Sequence, residues 1–144
     1  MGAPYYGATA ATAFLAHAST MTALDGGDGA YAAYAAFSES GAPLRVLLFN
    51  SDYYGGSGTR GAQTFDLQGL ASAAGKTLKA RRLTAPSATS RQDQGQLPTW
   101  GGQTFADGTC EVTGDETLED VVVDAGGRAS VRVGATEAVL VYLE

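Results

Sequence analysis

The chain has 144 residues, a formal net charge of −6, a pI near 4.6 and a single cysteine. That length suits one domain with one packed core, and the acidic balance opposes binding to phosphate backbones, which needs clustered Lys and Arg, so nucleic acid is excluded as a partner. The longest apolar run, 138–143, falls far short of the ~20 residues of a membrane helix, so no membrane partner is expected, and Cys110 alone can close no disulfide within the chain.

Met1-Gly2-Ala3-Pro4 shows no basic segment followed by a long apolar one, so no secretion signal is read; cytoplasmic residence and leaderless secretion both stay open. Across 5–18, Tyr6, Ala10, Ala13, Phe14 and His17 recur at helical spacing in an Ala-rich setting, which predicts a short amphipathic helix. Asp25-Gly-Gly-Asp28 and Gly29 mark a turn. Tyr31, Tyr34 and Phe37 stand three apart with Ala between them, a pattern that leaves helix and strand open. Residues 44–50 predict an interior strand, 50–59 a loop rich in Gly and Tyr, 64–67 a short strand and 69–75 a helical turn or loop.

In 76–84, Leu78 and Ala80 oppose Lys79, Arg81 and Leu83, which predicts a strand with one wet side. A polar, Pro-punctuated excursion covers 85–98. Strands follow over 100–105, 117–124 and 129–143, the last bending near Gly134, and Ala125-Gly-Gly-Arg128 between two of them reads as a hairpin signal. The closing Leu143-Glu144 looks like a possible appended scar, and Glu144 is left out of the fold. Eight or so strands separated by turn signals predict an all-β chain: an antiparallel β-sandwich of about eight strands preceded by a short N-terminal helix, one domain over 1–144.

Residues 83–108, L-T-A-P-S-A-T-S-R-Q-D-Q-G-Q-L-P-T-W-G-G-Q-T-F-A-D-G, stand with Pro4-Tyr5-Tyr6-Gly7, R-V-L-L-F-N at 45–50 and A-T-E-A-V-L-V-Y-L at 135–143. Together they resemble the late β-domain of fungal and bacterial glycoside hydrolase family 79 enzymes, the β-glucuronidase clan, over nearly the whole length. The resemblance implies that 31–37 is a strand, that helix 5–18 corresponds to the last helix of a catalytic barrel, and that the barrel has no counterpart here. In the family an N-terminal segment also contributes to the sandwich, and nothing ahead of Pro4 supplies it. An open sheet edge and an orphaned helix stripe, free to pack on the sandwich or on a second copy, then predict a homodimer or larger homo-oligomer.

The resembled enzymes cleave glycosides with two carboxylic acids on barrel strands, and no segment here matches those motifs, so no catalytic residue carries over. Asp115, Glu116, Glu119, Asp120 and Asp124 read as a solvated acidic face. His17, on the helix stripe, reads as a packed or interface histidine, and Cys110, with no basic neighbour in sequence, as a buried or inert thiol. Asp25-Gly-Gly-Asp28 lacks the further acceptors of a calcium loop, and no metal or cofactor is expected. Tyr53-Tyr54-Gly55-Gly56-Ser57-Gly58 lacks the Gly-Lys-Ser/Thr of a phosphate loop.

A sugar presents a flat apolar face and a rim of hydroxyls, so an aromatic ring beside polar groups can stack on one and bond the other. Asn50, Asp52, Tyr53 and Tyr54 offer that combination within five residues, against the plainer reading of a strand cap with edge-covering tyrosines. Trp100, among small neighbours, joins them as a candidate ring, although packing in the core is the plainer reading. Lys76, Lys79, Arg81 and Arg82 could hold a uronate, while a charged edge strand explains them more simply. The expected function is a non-catalytic, lectin-like carbohydrate-binding protein derived from an accessory domain, with a glycan as partner. The alternatives are a small fungal-type immunomodulatory or protein-interaction protein, and an excised structural domain of a β-glucuronidase.

Overall fold

A computed structural model describes residues 2–27 and 29–144. One helix, α1 (Ala3–Leu15), precedes β1 (Thr20–Ala23), β2 (Tyr31–Phe37), β3 (Pro43–Asn50), β4 (Ala62–Leu67), β5 (Thr77–Thr84), β6 (Thr99–Trp100), β7 (Thr104–Phe105), β8 (Val112–Thr113), β9 (Glu119–Val122), β10 (Ala129–Gly134) and β11 (Glu137–Tyr142). Three of these strands hold only two residues, which leaves eight longer ones among the described residues and an all-β, antiparallel, sandwich-like fold.

The main sheet runs β1-β2-β3-β11-β5-β6, with β9 also on β5; β4 and β10 form a second sheet and β7 and β8 a third. Its centre is apolar on both faces, which is why β3 and β11 read as nearly continuous hydrophobic runs rather than as alternations. Val46, Leu48, Val139 and Val141 point toward the β4–β10 pair and join Leu67, Val131 and Val133. Ala36 and Leu140 point the other way and meet Tyr6, Ala10 and Phe14 of α1 together with Trp100 and Phe105.

The helix forms where Ala dominates and Pro4 occupies its first turn, a position at which a missing N–H costs nothing. Tyr6, Ala10 and Phe14 recur every four residues and are buried, each large ring contributing roughly 1.5–3 kcal/mol of transfer free energy. Tyr6 Oη accepts the Phe105 N–H at 3.1 Å, so the ring enters the core without an orphaned hydroxyl. At the far end the buried Arg45 donates to the carbonyls of Ala16 and Phe14, capping the last turn, and it also pairs with Glu144. Leu143 packs on the core and donates its N–H to the Leu44 carbonyl, and Glu144, left out of the fold by sequence, joins it through Arg45.

Four further expectations are corrected. The Ala125-Gly-Gly-Arg128 turn is present, with Gly127 at φ 70°, but it closes no hairpin: β9 pairs with β5 and β10 with β4, so the turn carries the chain from one layer to the other. The strand 77–84 is no edge, since β11 lies on one side and β6 and β9 on the other. Its expected wet side is largely covered, because α1 and Trp100 lie over it. His17 falls beyond the helix and is exposed, at φ 58°, so it is not a packed residue of the helix stripe.

Candidate functional site

The chain leaves β3 at Asn50, and the five residues that follow sit where both layers and the β10–β11 turn converge. Asn50 is fully buried: its Nδ2 donates to the Val133 carbonyl at 3.1 Å and its Oδ1 accepts the Asp52 N–H at 3.0 Å. One amide thus bonds the main sheet to β10 and shapes the loop, and it has no surface left for a ligand. Asp52 accepts the Tyr31 hydroxyl at 2.9 Å, and that hydrogen bond, followed by the carboxylate charge, raises the Tyr31 phenol above its usual range.

Tyr53 extends into solvent with 74% of its surface exposed. Tyr54 is half-buried under the Arg60 guanidinium, whose carbon lies 4.4 Å from the ring centre, so one of its faces is taken. Its backbone N–H donates to Thr136 Oγ1 at 3.2 Å, and that hydroxyl donates to the Asp52 carbonyl at 2.9 Å. These bonds hold Thr136 at φ 63°, an uncommon conformation for a β-branched residue.

Trp100 is not part of this site. It is 1% exposed, packed between α1 and the sheet with Arg81 over its ring at 5.2 Å, and the core reading describes it. Of the five candidates, the structure brings Asp52, Tyr53 and Tyr54 together at the surface and withdraws Asn50 and Trp100 into the interior.

Behind the loop lies a charged network that sequence reasoning did not find. Glu137 accepts from Arg60 and Arg82 at 2.6 Å each, from the Thr84 hydroxyl at 2.7 Å and from the Gly134 N–H at 2.9 Å. Burial pushes its pKa up, but the Thr84 hydrogen bond, the Arg82 charge, the Gly134 N–H and Arg60 together outweigh it and hold the carboxyl below the usual range. Arg82 also forks onto Glu119 at 2.6 and 2.8 Å. The network ties β5 to β9, to β11 and to the 50–59 loop.

The same pairing consumes the basic cluster. Lys79 meets Asp120, Arg81 meets Glu116, Arg82 meets Glu119 and Glu137, and Lys76 donates to the Ser72 carbonyl. The acidic residues expected to form a solvated face are in large part these partners. Cys110 is exposed rather than buried, at φ 61°. Asp25 accepts the backbone N–H groups of Gly27 and Ala33, while Asp28 lies outside the described residues.

Beside Tyr53 opens a cleft of about 310 Å³. Its walls are the start of α1 at Ala3 and Gly7, the end of β3 and the loop after it at Phe49 and Tyr53, the 85–98 excursion at Ala88 and Pro98, and the β10–β11 turn at Thr136. Phe49 keeps 42% of its surface exposed, unusual for a ring in a central strand. Apart from the Pro-punctuated excursion no local pattern announces this cleft, because its walls come from four separated stretches of chain.

Residues 31–140 match the sequence profile described as the glycosyl hydrolase family 79 C-terminal beta domain. Among solved structures the chain is similar to a 4-O-α-L-rhamnosyl-β-D-glucuronidase from Fusarium oxysporum 12S, determined as a Rha-GlcA complex, with 48% identity and a TM-score of 0.91. The similarity covers 99% of this chain and 30% of the Fusarium chain. No curated protein matches.

Proposed function

The chain belongs to the family of glycosyl hydrolase family 79 C-terminal beta domains, and from that premise we propose that it acts as a non-catalytic, carbohydrate-contacting domain of glucuronidase type. The observation that carries the recognition half is Tyr53, an exposed ring at the mouth of a cleft, flanked by the Asp52 carboxylate and the Thr136 hydroxyl. The non-catalytic half rests on Glu137, the most enclosed acid among the described residues. Both guanidinium groups, the Thr84 hydroxyl and the Gly134 N–H occupy its oxygens, so it is spent on structure, and the matched profile is that of the C-terminal beta domain alone, in a chain covering 30% of the Fusarium enzyme.

The Fusarium relative is named for a rhamnosyl-glucuronide, so the sugar class proposed for this domain is a glycan of that kind. The test is a titration of the pure chain with such a glycan, read by NMR, alongside a hydrolysis assay on an aryl β-glucuronide. Binding that weakens in Tyr53→Ala, with no release of the aryl group, supports the proposal. Release of the aryl group in proportion to chain concentration contradicts it.

One observation favours a second reading, an interaction surface. β1 ends the main sheet, all four of its residues are exposed, and Met21 with the following Leu24 leaves about half of each side chain in water. An unpaired, uncharged edge of this kind pairs readily with another strand. Self-association of the chain through β1 is the corresponding proposal, and it is tested by the concentration dependence of molar mass.

A further inference from the structure

We propose that the cleft between α1, the end of β3 and the 85–98 excursion is a subsite for one neutral sugar ring, a hexose or 6-deoxyhexose, and that it disfavours a uronate. The proposal deepens the carbohydrate-contact reading above and rests on it. At about 310 Å³ the cleft stands at the small end of ligand cavities, roughly 300–1,000 Å³, which suits one ring rather than a chain of them. Phe49 and Tyr53 provide aromatic surface for the apolar face of a pyranose, and Leu83 and Pro98 provide aliphatic wall against which a deoxy methyl group loses no hydrogen bond.

The polar part of the lining decides the charge. Among the described residues no Asp, Glu, Lys or Arg lines the cleft, and its polar side chains are hydroxyls. Most of their protons are turned inward. Ser51 donates to the Ala30 carbonyl, Thr84 to Glu137 and Thr136 to the Asp52 carbonyl. The Ser87 and Ser90 hydroxyls share a bond at 3.2 Å, and Ser90 also accepts the Ser87 N–H. What these five hydroxyls leave for a ligand is chiefly lone pairs, with the exposed Tyr53 phenol as an uncharged donor at the mouth. A neutral sugar meets them with O–H donors, whereas a carboxylate brings only acceptors, finds no cation in the lining and forfeits its hydration.

The experiment is an amide-resolved NMR titration of the chain with methyl α-L-rhamnoside, methyl β-D-glucoside and methyl β-D-glucuronoside. Expected are saturable shifts at Phe49, Tyr53, Ala88 and Thr136 with the neutral glycosides, at millimolar affinity and at least about tenfold tighter than with the glucuronoside. Ala88→Trp, which plugs the mouth, and Ala3→Trp, which plugs it from the opposite wall, each abolish those shifts in a variant whose thermal midpoint is retained. Equal or tighter binding of the glucuronoside overturns the charge preference, and no shift at tens of millimolar overturns the subsite. Binding that survives both plugs but is lost in Tyr53→Ala overturns the cleft while leaving the carbohydrate-contact reading intact.

Discussion

Replacing Glu137 with Gln removes one charge from the centre of the network and leaves Arg60 without its carboxylate. Breaking a fully buried pair costs about 3–5 kcal/mol. Here the Glu137 side chain is 11% exposed while those of Arg60 and Arg82 keep 23% and 22%, and Arg82 retains Glu119, so the cost falls toward the low end, about 2–3 kcal/mol. For a chain of this size each kcal/mol moves the melting midpoint by roughly 2–4 °C, which gives a loss of about 5–10 °C. The folded-state pKa of Glu137 is depressed, so its contribution is fully present above the ordinary glutamate value of 4.5 and disappears as pH falls through the lower folded value. Urea denaturation of parent and Glu137→Gln at neutral pH and below pH 4 should therefore show a gap that narrows in acid. A gap under about 0.5 kcal/mol at neutral pH, typical of an ordinary surface change, or one that fails to narrow in acid, would refute the reasoning.

Trp100→Ala should cost about 3–5 kcal/mol, while Trp100→Phe keeps both the fold and sugar binding; glycan affinity lost in Trp100→Phe at unchanged stability would contradict the assignment of Trp100 to the core. Asn50→Ala leaves the Val133 carbonyl and the Asp52 N–H unpaired and should lower stability by roughly 2–3 kcal/mol, measured by chemical denaturation. Gly127→Ala places a Cβ 2.9 Å from the Ala71 nitrogen at φ 70°, and left-handed strain of about 1–2 kcal/mol plus that contact should reduce the melting midpoint clearly, whereas Gly69→Ala, with open space around its Cβ, bears the strain alone. Light scattering across a concentration series should show mass rising above that of one chain if β1 pairs, and Met21→Lys should abolish the rise.

Much of the fold was legible before any coordinate. The helix stripe at Tyr6, Ala10 and Phe14 and the apolar runs of β3 and β11 carry their periods openly, and the family resemblance settled 31–37 as a strand where pattern alone did not. What failed were statements about partners. Gly-Gly at 126–127 marks a turn faithfully, yet turn chemistry does not say whether the strands it joins pair with each other or cross between layers. The basic residues in and just before β5 look like an edge because the carboxylates that neutralise Lys79, Arg81 and Arg82, from Glu116 to Glu137, arrive from positions about 35 to 55 residues further on.

The candidate site was half legible for the same reason. An Asn-x-Asp-Tyr-Tyr string advertises polar and aromatic groups together, but burial is set by what lies across from each residue. Val133 claims Asn50, Arg60 claims one face of Tyr54, and α1 with Arg81 encloses Trp100. Arg45 gave a signal that was passed over: a lone charge inside the apolar run R-V-L-L-F needs a buried partner, and the end of α1 supplies it.

The most direct test of a domain that contacts sugar without cutting it is one NMR sample of the pure chain incubated with a rhamnosyl-glucuronide and followed over days. The account predicts shifts confined to the surroundings of Tyr53 and Phe49, with the glycosidic anomeric signal undiminished throughout. Steady loss of that signal, with free sugar appearing at a rate proportional to the amount of chain, would contradict it.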